Sequence, residues 1–580
     1  MKCAIAQMRV KASQPYHNLK TIKHMIQKVH NAADFIVFPE MCVGGYFIAD
    51  QYHQKDMQDL LLSMNQDIIN MSGECGVIWG NIDVVDGKLY NAAFFAHKGA
   101  LVGVYHKSLL PTYGVFDDAR YFKSGHNFEP FEFKGKKIAI QICEDMWDET
   151  YEISPTQEAL KYNPDYLINI SCSPWIFKKE SSRSAVINHK NLPIPFVYVN
   201  SVGLQNTGKS VLLMDGNSQV TYKDSCYALN DMFEEELAIV DLDHIKNASP
   251  IKTHKLYQGL LHAIRYFDEE ALPYGPKWII GVSGGLDSSV SATLLTHALG
   301  KERVIGVTMP SQFTRDITKS NAYHLSQTLG FKLHEIPIGD MVDATVKGLK
   351  TSGYPTVEGL TFENIQARLR GHTLMSVASL ENGVVVNNGN KIEVALGYAT
   401  LYGDAIGALS ILGDLTKLEV GDLARSINDA NNKEIIPHNL IPSDEGDMIS
   451  WDFAPSAELA EGQFDPMKWG YHDHLVLYLM GGSINDLLKK YLDGSILDTN
   501  LGKYLKAYGL DDPEAFIKDL DWVSRQMRNA VYKRLQMPPI VLVSEQGFGS
   551  DYRESQIPQC ISDETQALKT RVLHEGLGQR

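Results

Sequence analysis

The run Trp278-Ile279-Ile280-Gly281-Val282 is apolar enough for a buried strand, and it breaks at once into Ser283-Gly284-Gly285-Leu286-Asp287-Ser288. The helical pattern Val290-Ser291-Ala292-Thr293-Leu294-Leu295 follows. Strand, glycine turn and helix in that order gather backbone N–H groups and the positive end of a helix dipole around one point, which makes an anion site. Gly284 and Gly285 can take positive φ and let a phosphate come close to the backbone. The loop lacks a Gly-Lys-Ser/Thr ending, so it is not the P-loop that serves γ-phosphate transfer. Taken alone, these residues also read as an ordinary Gly-Ser turn before a helix.

In its full context Ser283-Gly284-Gly285-Leu286-Asp287-Ser288 resembles the SGGxDS signature of the PP-loop ATP pyrophosphatases. The resemblance implies that the loop holds the pyrophosphate of ATP while a substrate oxygen attacks the α-phosphate, leaving AMP and pyrophosphate. Strand-like runs at 278–282, 304–309, 332–337 and 384–387 alternate with helical stretches, the pattern of a parallel α/β sheet.

A chain of 580 residues needs more than one hydrophobic core. Pattern divides it into a first domain, 1–245, a connector, 246–275, punctuated by Pro250 and Pro273, a second domain, 276–545, and a polar C-terminal tail, 546–580. The net charge of −16 argues against a polyanion partner, because neutralising phosphates needs a basic face. Seven scattered cysteines without CxxC pairs fit reduced thiols rather than a disulfide frame or a zinc site. No apolar run is long enough to span a bilayer, and no charged–apolar–cleavage order opens the chain. The expectation is a cytoplasmic enzyme that binds neither nucleic acid nor membrane.

In the first domain, strands are expected near 3–8, 35–38, 76–85, 91–97, 101–106, 137–142, 166–170, 196–200, 211–214 and 237–240, with a helix over 19–29. Asp86-Gly87 and Asp215-Gly216-Asn217 are expected to turn hairpins, so the sheet is mixed and the domain a layered α+β one. Glu40, Lys107 and Cys143 each follow a strand, which places them at the rim of a layered sheet. A cysteine nucleophile needs a base, which Glu40 could supply, and Lys107 could hold the charge of a tetrahedral intermediate. Singly, each has a plainer reading: a helix N-terminal charge, a solvated strand end and a small core residue.

Their sequence context is more specific. Phe38-Pro39-Glu40-Met41, His106-Lys107-Ser108-Leu109-Leu110-Pro111 and Ile142-Cys143-Glu144-Asp145-Met146-Trp147 resemble, in order, the three catalytic motifs of the nitrilase (carbon–nitrogen hydrolase) superfamily. The resemblance covers most of 1–245. It implies an α-β-β-α sandwich and a triad of Glu40 as general base, Lys107 for the oxyanion and Cys143 as nucleophile, releasing ammonia from an amide. A class II amidotransferase mechanism is disfavoured, because Lys2 separates Cys3 from the N-terminus.

The second domain narrows the chemistry. The stretches 363–370, 388–393, 397–404, 413–417, 455–459 and 532–539 resemble NAD synthetases, and with the nitrilase-like half in front the whole chain is similar to the glutamine-dependent ones. One departure is visible: Ile392 stands where the family usually has Ser in Gly-Asn-Lys-Ser-Glu. The resemblance implies that Gly281, Val282, Ser283, Gly284, Gly285, Leu286, Asp287, Ser288, Asn388 and Lys417 face ATP. It assigns Asn364, Glu393 and Lys533 to deamido-NAD, and Tyr113, Ser173 and Lys179 to glutamine. Asp287 and Glu393 are the implied magnesium ligands, and a hard cation that keeps several waters needs no more than one or two carboxylates. Arg368 and Arg370 are weaker candidates.

The implied reaction converts deamido-NAD, ATP and glutamine, or ammonia, to NAD, AMP and pyrophosphate, in a homo-oligomer. The alternative within the same chemistry is a PP-loop amidotransferase acting on another carboxylate; outside it, a nucleotide-binding sensor or scaffold. The motifs at 363–370 and 388–404 speak against the first alternative, and the complete Glu40, Lys107, Cys143 and 283–288 sets against the second.

Overall fold

The computed structural model describes residues 1–177, 186, 192–249, 255–444, 446, 448–460, 462, 465–549, 552–556 and 561–578. The chain forms two compact units, Met1–Lys255 and Leu256–Arg580. The helix Lys255–Ala271, within the expected connector, therefore groups with the second unit.

The first unit holds two six-stranded sheets. One runs Glu236–Asp241, Lys2–Gln7, Phe35–Val37, Gly76–Val85, Lys88–His97, Ala100–His106. The other runs Ser225–Ala228, Gln219–Tyr222, Phe196–Asn200, Tyr166–Ser171, Lys136–Ile142, Phe131–Phe133. In each sheet three central strands are parallel and the margins antiparallel, so both are mixed.

Side-chain alternation explains the layering. Ile138, Ile140 and Ile142 point into a core shared with Ile5, Phe35, Val37, Ile78 and Phe95 of the other sheet. Ala139, between them, faces the opposite way and packs with Met146 and Ala159, the latter on the helix Pro155–Leu160. On the first sheet's outer face, the helix Lys55–Met71 lends Asn65 to the indole N–H of Trp79 at 3.0 Å. The unit is thus an α-β-β-α sandwich.

The Asp86-Gly87 turn joins a hairpin with both residues at positive φ, as a two-residue type I′ turn requires. Asp215-Gly216-Asn217 is a turn but not a hairpin. Its flanking strands pair elsewhere, Ser210–Asp215 with Val202–Thr207 and Gln219–Tyr222 with Phe196–Asn200. Gly216 is held against the Gln7 side chain, and the chain there leaves the Val202–Thr207/Ser210–Asp215 pair to join the sheet of Phe196–Asn200 instead of folding back.

In the second unit, parallel pairing gives the order Ile540–Leu542, Leu409–Ser410, Gly383–Asn387, Lys277–Gly281, Val304–Thr308, Lys332–Glu335. The strand order reverses around Lys277–Gly281, so the loops after Gly281 and Asn387 open at a topological switch point, where open α/β sheets bind ligands. Within the expected tail, the helix Asp563–Glu575 packs on Ile484–Leu492 and Pro513–Asn529. Among the described residues no helix is long and apolar enough to cross a membrane.

Gly80 shows how tightly the first sheet seats Glu40. A Cβ there would lie 2.4 Å from the Met41 nitrogen and 2.6 Å from the Glu40 Cα, both backbone atoms that cannot swing aside. Gly80→Ala should destabilise the protein by about 1–3 kcal/mol, the usual range for overpacking a core. A urea denaturation midpoint equal to that of the parent would show that the strand can yield.

Candidate active sites

In the first unit, Glu40 ends the segment after Phe35–Val37, Lys107 follows Ala100–His106, and Cys143 follows Lys136–Ile142. All three are buried. Glu40 Oε1 accepts from Lys107 Nζ at 2.9 Å and from Asn91 Nδ2 at 2.7 Å, and its Oε2 accepts the Cys172 backbone N–H at 2.8 Å. The Lys107 ammonium also donates to Asp118 Oδ2 at 2.8 Å, and Tyr46 donates its hydroxyl to the same carboxylate. Two anions therefore hold the buried ammonium and keep its pKa above the ordinary lysine value despite desolvation.

Cys143 takes φ +44°, a left-handed conformation unusual for a non-glycine residue, at the first position of a short 3₁₀ turn. Burial pushes its thiol well above the ordinary range, the Glu40 charge adds to this, and the Lys107 ammonium opposes it. A thiol so placed stays protonated until a base removes the proton; the Glu40 and Glu144 charges raise it and the Lys107 ammonium opposes them.

The residues assigned to glutamine are placed unevenly. Tyr113 is half-exposed and donates to Glu144 at 3.1 Å, as Tyr151 does at 2.9 Å. The Ser173 backbone N–H donates to Asn200 Oδ1 at 2.8 Å. Lys179 lies outside the described residues.

In the second unit, the 281–288 loop borders a cavity of about 350 Å³, together with Arg370, Asn388, Glu393, Tyr398, Asp404, Lys417, Phe453 and Asp465. Gly284 sits at φ +77° with its α-carbon pressed against Thr318, where a Cβ would meet the carbonyl oxygen at 2.0 Å. Gly285 caps the helix Leu286–Leu299 without a side-chain hydrogen bond, which leaves that helix's first N–H groups to a ligand. Asn388 Nδ2 ties its loop to the Gly281 carbonyl at 3.0 Å, and its Oδ1 has no partner among the described residues.

Lys417 Nζ reaches Asp287 Oδ2 at 2.5 Å, and Asn390 Nδ2 reaches the same oxygen at 3.4 Å. The other oxygen, Oδ1, is buried without a partner among the described residues. Glu393 is pushed up to about 8 by burial and then by the Asp287 charge, against the pull of Lys417; Asp465 adds to the rise.

Two residues assigned to deamido-NAD are engaged with protein. Asn364 Oδ1 accepts from Thr400 at 2.7 Å, and Lys533 Nζ donates to the carbonyls of Gly397 and Ala399, each at 2.8 Å. Arg370 borders the cavity, whereas Arg368 donates to the Leu401 carbonyl at 3.3 Å. Ile392 is fully buried, and its N–H donates to Asn390 Oδ1, so a side chain without a hydroxyl leaves the loop cap intact.

Asn91, Asp118, Asn390 and Asp465 also stand at the two sites, without a role that their sequence context announces. Asn91 and Asp118 lie outside the three motifs, and only the fold brings them to Glu40 and Lys107. Asn390 lies within the 388–393 stretch, where an asparagine before a helical run signals an N-cap, the role it takes for the helix Lys391–Leu396.

Models of known families match both halves: carbon-nitrogen hydrolase over residues 2–153 and NAD synthase over 271–492. A glutamine-dependent NAD(+) synthetase of Thermotoga maritima is 30% identical, the alignment covering 95% of this chain and 98% of the relative. One from Synechocystis is 29% identical over 92% of this chain and 94% of the relative. Among solved structures, a glutamine-dependent NAD+ synthetase from Acinetobacter baumannii in complex with ADP superposes with a TM-score of 0.70 at 27% identity, covering 95% of this chain and 97% of that one. One from Cytophaga hutchinsonii shares the fold with a TM-score of 0.78 at 16% identity, over 98% and 99%.

The Glu393 environment sets a pH signature. Its folded pKa lies above its unfolded value, so between about 4.5 and about 8 the folded state keeps a proton that the unfolded state has released. This group's contribution to stability is therefore full below that window and is lost as pH rises through it. The stability difference between the parent and Glu393→Gln should change across pH 5–8 with a slope of up to about 1.4 kcal/mol per pH unit. A pH-independent difference would show that Glu393 is ionised throughout.

Proposed function

The chain belongs to the glutamine-dependent NAD(+) synthetases, and from that premise we propose how its two units divide the reaction. The protein is a ligase that uses ATP and the amide of glutamine to make NAD. The first unit is read as the glutaminase and the second as the synthetase, with the boundary near Lys255.

In the glutaminase, the Cys143 sulfur attacks the carboxamide carbon of glutamine as Glu40 takes the thiol proton. The Lys107 ammonium, already neutralised by Glu40 and Asp118, lends a hydrogen bond to the oxyanion. Collapse breaks the C–N bond, the proton returns to the leaving nitrogen, and ammonia departs from a glutamyl thioester. Water, deprotonated by the same carboxylate, then releases glutamate and restores the thiol. What supports this reading is the 2.9 Å Glu40–Lys107 contact beside a buried cysteine on a strained turn. Tyr113, Ser173 and Lys179 are assigned to seating the substrate.

In the synthetase, the nicotinate carboxylate of deamido-NAD attacks the α-phosphate of ATP, pyrophosphate leaves, and ammonia displaces AMP from the acyl adenylate. The 281–288 loop and the uncapped helix behind it receive the phosphates, Lys417 balances the leaving pyrophosphate, and Asn388 faces ATP. Asn364, Glu393 and Lys533 are assigned to the deamido-NAD side; for Lys533 the bonds to Gly397 and Ala399 favour shaping that loop.

Magnesium fits the residues present. Among the described residues no three ligating side chains converge, but Asp287 Oδ1 is a buried oxygen without a partner, and Glu393, which burial keeps protonated up to about pH 8, lies close enough to feel the Asp287 charge. A hard cation held by Asp287 and Glu393 would offset phosphate charge. Self-association is the reading favoured by Leu360, Met375 and Leu380, large apolar residues exposed on the helix Gly359–Leu380, and a cytoplasmic place fits the free thiols.

Cys143→Ala should abolish NAD formation from glutamine while sparing it from ammonium. Lys417→Ala should lower both by about 100-fold or more, the scale of a lost electrostatic contact to developing charge. Equal loss from both nitrogen sources in Cys143→Ala would refute this division of labour.

A further inference from the structure

The three motif residues come from three segments of the first unit, and nothing in their own bonds sets Cys143 against Lys107. Asp145 does this. It is fully buried, two residues beyond Cys143. Its Oδ2 accepts the N–H of Ile142, the residue just before the nucleophile, at 2.9 Å, and the Tyr105 hydroxyl at 2.9 Å. Its Oδ1 accepts the N–H groups of Ser108 at 3.1 Å and Leu109 at 2.8 Å, the two residues just after Lys107.

We propose that Asp145 is a positioning residue for amide cleavage, a single carboxylate that locks the strained turn carrying Cys143 onto the segment carrying Lys107. It touches neither substrate nor reacting atoms. Four donors and no acceptor face it, so the bonds require an ionised carboxylate. Asparagine of the same shape would turn an NH₂ group toward two donors and leave at least one backbone N–H of the pair of segments unsatisfied. The groups acting on its charge are Tyr105, which donates to it, and Lys107, whose ammonium favours the ionised form; Cys143 and Glu144 stand beside it on its own turn. Burial nonetheless lifts the carboxyl to about 6, within reach of an ordinary activity profile.

The inference rests on the reading of Cys143 as the amide-cleaving nucleophile, and the test separates the two. Full-length enzyme is assayed with glutamine and with ammonium. Glutamine-dependent activity surviving in Cys143→Ala overturns both ideas. With that activity lost, Asp145→Asn should lower glutamine-dependent kcat by about 100-fold, the scale of a misplacement near 1 Å. KM for glutamine and the ammonium-dependent rate should stay close to those of the parent. An Asp145→Asn enzyme with its glutamine-dependent kcat intact, or with only KM raised, overturns the positioning role alone.

Should Asp145→Asn fail to fold, Tyr105→Phe carries the test, since it removes one donor and leaves the bridge between the two segments. Losing a donor that favours the charged carboxylate should move the acidic limb of glutamine-dependent kcat to higher pH while the ammonium profile stays in place. A simple loss of folded protein lowers both activities and moves neither profile. An unmoved limb in Tyr105→Phe overturns the proposal.

Discussion

A fully buried ammonium cannot exist in this fold without its counter-ions, and the first unit is arranged around that requirement. Lys107 sits between Glu40 and Asp118 with no exposure to water. Taking charges out of water is expensive, and removing one partner of a buried pair costs about 3–5 kcal/mol because the other is left uncompensated. The same cost makes the site useful. An ammonium that has already lost its water stabilises a nearby oxyanion without reorganising solvent when the charge appears.

The second unit meets the same constraint differently. Lys417 is matched to Asp287, burial holds a proton on Glu393 up to about pH 8, and Asp287 keeps one buried oxygen free among the described residues. The first site is electrostatically satisfied and shaped around a thiol. The second keeps one unpartnered carboxylate oxygen, beside a helix whose first N–H groups have no side-chain cap.

Much of this was legible without coordinates because it depended on short-range rules. The glycine turn between Gly281 and Leu286 announces strand, loop and helix by itself, and the alternation of Ile138, Ile140 and Ile142 announces a strand with one face in a core. The expected strands of both units recur in the fold, most within a residue or two at their ends. The hairpin expected at Asp215-Gly216-Asn217 does not form, because turn chemistry says that the chain bends, not which strand it pairs with next. The two-residue strand Leu409–Ser410 and the three-residue strand Ile540–Leu542 carry too little periodicity to be seen before the sheet supplies their partners.

What the sequence alone determined about this protein is its local structure: the strand, glycine turn and helix around residues 281–288, and the acidic, basic and thiol residues at three strand ends. Those follow from backbone conformations and residue types that act over a few positions. Only the tertiary structure decided that Lys107 shares its charge with Asp118, that Asn390 and Lys417 meet on one oxygen of Asp287, and that Asp145 accepts the N–H groups of Ser108 and Leu109. Each of these joins residues 11 to 130 positions apart, and what selects them is the cost of burying a charge or an N–H group without a partner. That cost has no signature in sequence spacing.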